Sequence, residues 1–520
     1  MMSKIHFSRR HWLRLTGGAA LATSTALRTR VRAAEAAPVI DIGSRRELLV
    51  DRHLIERLDG VRLALHRPVR REIVFRTDAS WEGNASSFQS ILQDGDRVRM
   101  YYRGGHHPNS RIYETEKRSW ETLCLAESRD GIHFTRPELG IVEFRGSTRN
   151  NLILNEEMVR EIGGRLSLSA TLKDTNPDCP LGERYKIVLM GNKPRGLFLL
   201  VSADGIYFRL RSPEPFTTTG AFDSQNLIFW DSVHGVYREY HREFDQGVRG
   251  IMTAASRDPG KFPEPQWLQY PGATEQALYT NQVQPYYRAP HILMGFPMRY
   301  NDRGWSPSMT QLPNLEERRY RSARHPRFGT TVTDTAFMTS RDGITFHRWG
   351  EAFIRPGPSR KDTWTYGDNF VFWGMIQTRS DLEDAPDEIS FYATEGYWEG
   401  SYTSVRRYTL RLDGFVSAQA PLSGGELITR PLRVDGSHLE INFSTSATGT
   451  VRIELQVADG NPIPGYSLAD CDPQFGDQLD RVVSWRSGTD VSPLAGRPVR
   501  MRIQLQDANL YSFRFSKKQP

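Results

Sequence analysis

Three observations in this sequence predict an all-β chain, a five-bladed β-propeller followed by a C-terminal β-sandwich domain. A seven-residue turn recurs along the chain, apolar and aromatic strands precede each copy at similar spacing, and no long amphipathic helix interrupts them. The clearest copies of the turn are Ser128-Arg129-Asp130-Gly131-Ile132-His133-Phe134, Ser202-Ala203-Asp204-Gly205-Ile206-Tyr207-Phe208 and Ser340-Arg341-Asp342-Gly343-Ile344-Thr345-Phe346. Weaker ones are Ser256-Arg257-Asp258-Pro259-Gly260-Lys261-Phe262 and Leu412-Asp413-Gly414-Phe415. Asp-Gly between apolar runs reads as a tight turn, because glycine takes positive φ without cost and the aspartate bonds local backbone N–H groups.

Each turn closes a unit of four antiparallel strands. The third strands are read at Thr122–Glu127, Gly196–Val201, Ile251–Ala255, Ala336–Thr339 and Arg407–Leu412. Aromatic-rich second strands precede them at Val98–Tyr102, Tyr185–Met190, Val236–His241, His291–Phe296 and Glu388–Ala393. First strands are placed at Phe88–Leu92, Leu166–Leu172, Gln225–Trp230, Gln282–Tyr287 and Asn369–Trp373, and a short outer strand follows each turn, as at Phe346–Trp349. A strand from segment 46–80 closes the ring against the last blade. The competing arrangement, stacked β-sandwiches, does not explain the regular recurrence. After Ser423-Gly424-Gly425 come alternating runs at His438–Phe443, Val451–Val457, Val499–Leu505 and Tyr511–Phe515, which predict the sandwich. The resulting division is 1–37 leader, 38–418 propeller and 419–520 sandwich.

The leader carries the charge. The 520 residues have a formal net charge of +7, but residues 1–37 hold Lys4, Arg9, Arg10, Arg14, Arg28, Arg30 and Arg32 against Glu35 alone. The remainder is nearly balanced, so no basic face is left over for a nucleic-acid backbone. Ser8-Arg9-Arg10-His11-Trp12-Leu13-Arg14, a mildly apolar run to Leu27 and small residues through Ala37 resemble a twin-arginine signal peptide. That resemblance implies Tat export of a folded chain, secreted or held in the periplasm. No run approaches the roughly 20 apolar residues of a membrane span. Cys124, Cys179 and Cys471 make neither a disulfide framework nor a metal set.

In a propeller, first strands line the central channel. The loops leading into them share a face with the loops between second and third strands, and the Asp-Gly turns lie opposite. Asp130, Asp204 and Asp342 are therefore turn residues. On the other face the sequence places Trp81-Glu82-Gly83-Asn84, Lys173-Asp174-Thr175-Asn176, Phe222-Asp223-Ser224-Gln225-Asn226, Thr280-Asn281-Gln282-Val283-Gln284 and Tyr366-Gly367-Asp368-Asn369. Arg103, His106, His107, Arg242, Glu243, Arg249, Arg299, Asp334 and Glu395 are added from second-strand ends and adjoining loops.

Carboxylates converging beside amides, arginines and indoles suit glycosidic cleavage. One carboxyl donates a proton to the leaving oxygen, and the other attacks the anomeric carbon or activates water. Glu82 and Asp223 are the expected pair, with Asp174 and Asp368 as further candidates. Trp81, Asn84, Arg103, Gln225, Asn226, Arg249, Asn281, Gln284 and Asn369 are the expected substrate contacts. No cofactor is called for. A channel Ca²⁺ held by Asp and Asn oxygens is the one metal these residues would suit.

The five units, the Trp81–Asn84 opening and the Ser-Arg-Asp-Gly turns resemble the five-bladed propeller glycoside hydrolases, which include the invertase/levanase family and the arabinanase/xylosidase family. Over the whole mature chain the resemblance is to exported planctomycete-type proteins described as glycosyl-hydrolase-like. It implies a carbohydrate-active enzyme, a glycosidase acting on an oligosaccharide or polysaccharide. The carry-over is partial. Where the invertase pattern has Trp-Met-Asn-Asp-Pro, this sequence has Trp81-Glu82-Gly83-Asn84 and lacks the nucleophilic aspartate. Arg257-Asp258-Pro259 matches the family's Arg-Asp-Pro only in letters, since it falls at a turn on the opposite face, and the Glu-Cys motif is missing. Two other readings stand beside hydrolysis: a non-catalytic glycan-binding or scaffold propeller, and a glycoside phosphorylase. Arg103, Arg249 and Arg299 also leave an anionic sugar open.

Overall fold

The structure, a computed structural model, describes residues 38–107, 110–113 and 120–517. The leader expected at 1–37 lies outside them. Residues Val39–Pro520 form one compact unit.

Five four-stranded antiparallel sheets make the propeller. Blade one is Ser90–Asp94, Arg97–Gly105, Glu121–Ser128 and Leu152–Asn155. Blade two is Arg165–Lys173, Tyr185–Asn192, Arg195–Ser202 and Arg209–Leu210. Blade three is Leu227–Asp231, Val236–Asp245, Val248–Ser256 and Gln266–Trp267. Blade four is Gln284–Tyr286, Ala289–Gly295, Met338–Ser340 and Phe346–Arg348. Blade five takes Ile376–Thr378, Glu388–Glu395 and Ser404–Arg411 from late in the chain, and its outer strand, Val69–Arg76, from the start. That last pairing, from Arg76 opposite Ser404 to Val69 opposite Thr409, closes the ring as expected.

Two differences bear on the site. Blade two's first strand, read at Leu166–Leu172, runs Arg165–Lys173, and Lys173-Asp174 therefore stands at its far end and not on the face where the first strands begin. Blade four is interrupted by an insertion that the sequence did not announce. It consists of a hairpin of Met298–Asp302 with Thr331–Thr335, and the helices Pro307–Thr310, Leu315–Arg324 and Pro326–Thr330.

The C-terminal domain is a ten-stranded sheet around its own apolar core. Pro498–Ser516 is its axis and pairs along one edge with His438–Val457. Its other edge meets Leu432–Val434, Gly425–Thr429, Val416–Ala420 and Glu47–Leu48 in turn. Register breaks at Asn442/Phe443 and Thr445/Thr450 bend the two long strands, as bulges do. The sheet domain also takes in the start of the chain. Ile40–Gly43, Ile55–Asp59 and Arg62–Leu65 pair with C-terminal strands, so the chain starts in the sheet domain and enters the propeller only at Val69.

The recurring turns join blade to blade. Asp130 Oδ1 accepts from the N–H groups of Ile132 and His133 at 2.8 Å each, and Asp204 and Asp342 repeat the pattern. The glycine beside each aspartate has φ of +73, +78 or +80°. Each glycine carbonyl accepts from a buried tyrosine of the neighbouring blade: Tyr392 to Gly131 at 2.6 Å, Tyr101 to Gly205 at 2.9 Å and Tyr240 to Gly343 at 2.8 Å. A Cβ on Gly205 would stand 2.5 Å from the Tyr101 hydroxyl oxygen. Glycine is thus required twice over, for its φ and for the close approach.

Tyr101→Phe should cost about 1–2 kcal/mol, because it strands a buried carbonyl. Gly205→Ala should cost more. The double variant should be less destabilised than the sum of the two, since removing the hydroxyl relieves part of the clash. Urea denaturation of the three variants reads this directly, and strict additivity would deny that hydroxyl and glycine act on each other.

Candidate functional site

On the face where the first strands begin, a cavity of about 790 Å³ is lined from all five blades and the insertion. Its walls are largely aromatic: Phe88, Tyr279, Tyr300, Phe328, Tyr366, Tyr397 and Trp398. Phe88 stacks on Phe370 at 5.4 Å, Tyr366 packs on Trp398 at 5.0 Å, and the Tyr366 hydroxyl donates to that of Tyr279 at 3.0 Å. Phe88, Phe222 and Trp398 hold φ near +60°, a left-handed conformation that bulky residues rarely adopt. Backbone strain of this kind gathers at sites where side-chain placement matters more than stability.

Of the residues expected at a site, Arg103, Asp223 and Arg249 line this cavity. Phe222, in its left-handed conformation, is fully buried, and the next side chain, Asp223, is 58% exposed. Asp223 forms an ion pair with Arg242, which is itself buried. Burial, with Arg249 as a like-charged neighbour, lowers the Arg242 pKa to about 10. The Arg249 guanidinium lies 4.1 Å over the Tyr300 ring and 5.6 Å from that of Tyr279. His107 stacks on Trp398 with ring centroids 3.8 Å apart. Burial and the Arg103 charge push its pKa down to about 3, so it is neutral at physiological pH.

Glu82 does not reach this cavity. It is fully buried, with both oxygens accepting from Arg136 at 2.8 Å, one also from the Tyr102 hydroxyl and the other from Ala79 N–H at 2.9 Å. Trp81 belongs to the same network through Asn151, which bonds both the indole at 2.8 Å and Tyr102 at 2.6 Å. Asp174 lies at the opposite mouth, with Gln284, along a separate cavity of about 660 Å³. There Asp174 is held by Lys186 at 2.6 Å and Tyr237 at 2.8 Å. The strand itself was read correctly at Leu166–Leu172, but Lys173-Asp174 follows it and so leaves the channel at the opposite end from the loops that lead into first strands.

The remaining amides fasten backbone. Gln225 crosses the channel to the Phe88 carbonyl at 2.8 Å and accepts from Gln282. Asn226 bonds the carbonyls of Phe222 and Ser224, Asn281 caps Val283, and Asn369 reaches Thr333. Asn84 positions two cavity residues. Its side chain accepts from His107 N–H, and its carbonyl accepts from Trp398 N–H. Asp368 sits behind Tyr366 and Tyr397, fully buried, its oxygens accepting from the N–H groups of Gly396, Tyr397 and Thr365. Burial raises its pKa to about 7.

Sequence reasoning missed the insertion's contribution, His325 to Phe328, and Tyr397-Trp398 in the loop between blade five's second and third strands. The Gly396-Tyr397-Trp398-Glu399 run was a usable signal for the latter. Among the described residues, no group of three or more His, Cys, Asp or Glu is placed to hold a metal ion, and no helix is long and apolar enough to cross a membrane.

No family model and no curated protein matches the chain. Solved structures do. An arabinoxylan arabinofuranohydrolase of glycoside hydrolase family 43 from Bacillus subtilis superposes with TM-score 0.37 at 11% identity, over 87% of this chain and 99% of that one. An endo-arabinase from Bacteroides thetaiotaomicron gives 0.37 at 9%, over 64% and 96%. A glycosyl hydrolase from Bacteroides ovatus gives 0.40 at 12%, over 66% and 94%. At these values the likeness carries nothing about site residues or substrate.

Two variants separate support from site. Glu82→Gln should lower stability by about 3 kcal/mol through the loss of a buried ion-pair partner, while leaving the occupancy of the cavity unchanged. Asp368→Asn should alter the pH dependence of stability. A carboxyl whose folded pKa is about 7 carries no penalty below its unfolded pKa and a growing one as pH rises to 7. The parent should therefore lose Tm relative to Asp368→Asn between about pH 4 and pH 7, and a constant difference across that window would contradict the assignment.

Proposed function

We propose that this protein is a carbohydrate-active enzyme that hydrolyses glycosidic bonds in the aromatic cavity. The observation that carries the reading is the combination of a deep cavity walled by ring faces with one exposed carboxylate, Asp223, projecting from its wall. Aromatic faces pack on the apolar faces of pyranose and furanose rings, which is how a water-soluble saccharide is held without many hydrogen bonds. Asp223 is the carboxylate that acts on the anomeric centre or its water. Asp368, with its pKa raised to about 7 next to two lining tyrosines, is the proton-donor candidate. The Arg9-Arg10 leader supports export of the folded chain.

A second reading has a specific observation behind it. Asp223 is the one carboxylate among the residues lining the cavity, whereas paired-carboxylate cleavage needs two. A glycan-binding propeller needs only the aromatic walls.

The two part on one experiment. Purified protein is incubated with a panel of neutral and acidic oligosaccharides, with reducing-end release read alongside Asp223→Asn and Asp368→Asn. Hydrolysis predicts release by the parent that falls at least 10²-fold in Asp223→Asn. Binding without release by any form would move the reading to the glycan-binding propeller.

A further inference from the structure

The charge around the cavity is one-sided. Arg103, Arg165, Arg249 and Arg327 line it against Asp223 alone. Directly behind Asp223 lies Arg242, 1% exposed, whose Nε and Nη1 have no hydrogen-bond partner. The Nε of Arg249 is likewise buried without one. Arg242 and Arg249 both stand over the Tyr279 ring, at 5.0 and 5.6 Å. Asp223, more than half exposed, pairs with Arg242, and among the described residues no carboxylate pairs with Arg249. Buried, unpaired guanidinium groups are costly in a folded protein unless an anion completes them.

The excess charge continues outward. A second cavity of about 530 Å³ shares Arg103, His107 and Arg165 with the first and adds Arg160 and Lys193 along blades one and two. Its acids are Glu121 and Glu156, and Glu121 is already bound to Arg103 at 3.3 Å and Arg165 at 3.5 Å. A lone small anion would need one such pocket. Two joined cavities with cations spaced along them suit a chain that repeats its negative charge.

We propose that the substrate is an acidic oligosaccharide whose hexuronate carboxylate seats on Arg249, in front of the buried Arg242, with further carboxylates running along Arg103, Arg165 and Lys193. Guanidinium matches carboxylate through two parallel N–H···O bonds. The assignment rests on the carbohydrate reading above and names its substrate class. Inorganic phosphate would satisfy the same guanidinium, so the test must distinguish the two sources.

Tri-galacturonate, its full methyl ester, a neutral xylotriose and inorganic phosphate are titrated into the full-length protein by calorimetry. The free acid should bind at least tenfold more tightly than its ester or xylotriose, and should weaken as salt rises from 20 to about 200 mM. Arg249→Met should erase that preference. Arg249→Lys, which keeps the charge and loses the fork, should retain part of it. Asp223→Asn should bind the acid as well as the parent or better, even with turnover gone. Equal affinity for acid and ester, or phosphate binding that is sensitive to Arg249→Met while tri-galacturonate does not bind, overturns the proposal. If acid is bound selectively but never cleaved, the substrate class stands and the hydrolytic reading falls. If neutral sugars are cleaved with no preference for acid, hydrolysis stands and this inference falls.

Discussion

The hydrogen bond from a buried tyrosine to the turn of the neighbouring blade is the constraint on which the rest of the structure depends. A propeller blade has little hydrogen bonding to its neighbours, because each sheet satisfies its own backbone and the blades meet through side chains. Tyr101, Tyr240 and Tyr392 fix three of the five junctions at the turn glycines. A fourth uses the same device with a different acceptor: Tyr286 donates to the Asp413 carboxylate at 2.6 Å, at the degenerate turn of blade five. Asp413 also binds Arg288 at 2.9 Å, Ser512 at 2.8 Å and Arg46 at 3.3 Å, and its pKa stays low despite burial because the arginines outweigh desolvation. One carboxylate therefore ties blades four and five to the sheet domain. The turn of blade three, where Asp258-Pro259 replaces Asp-Gly, has no such tyrosine bond in the structure.

Fixing the blades on the turn face leaves the opposite face free to carry irregular backbone. Left-handed residues recur there at Phe88, Phe222, Gln282 and Asn369, each just ahead of the stretch that enters the channel. Their strain is offset by buried amides. Gln225 ties to Phe88 across the channel, and Asn226 and Asn281 close the local turns. The amides that looked like sugar contacts in the sequence are the braces that hold the cavity's lining in place. The centre of the channel is filled by Gln89, Gln225 and Gln282, all buried, which separates the two mouths into distinct cavities.

How far the sequence could be read follows from the same physics. The turns were legible because Asp-Gly chemistry is local, and second and third strands were legible because their apolar runs are continuous. Boundaries on the site's face were not, since strand starts there are set by cross-channel bonds between residues far apart in sequence. In blade two the strand was read correctly, but Lys173-Asp174, which follows it, was grouped with the loops that precede first strands, and Asp174 lies at the other mouth. Helix Leu315–Arg324 shows no apolar stripe because the groups it buries are Arg318 and Arg321. Arg318 bonds the carbonyls of Pro313 at 2.8 Å and Trp364 at 2.7 Å, and Arg321 pairs with Glu399 at 3.1 Å. A hydrophobic period cannot reveal a helix whose inner face is guanidinium. Glu82 failed for a related reason: an acid beside Trp and Asn looks available in sequence, and only coordinates show Arg136 arriving from beyond blade one's turn.

These buried arginines divide into two kinds, and the division locates the chemistry. Arg318 and Arg136 have acceptors within the chain for their donors, so they support the structure. Arg242 is buried and Arg249 half-buried against aromatic rings, and each keeps a donor with no acceptor in the protein. What sets Arg242 and Arg249 apart is that the two incompletely paired groups stand together over one tyrosine ring. The aromatic rings hold these cations but give their N–H donors no acceptor, and Asp223 is too exposed to neutralise both. Arg249 lines the cavity, and the acceptor its guanidinium lacks within the chain is one a bound anion would supply.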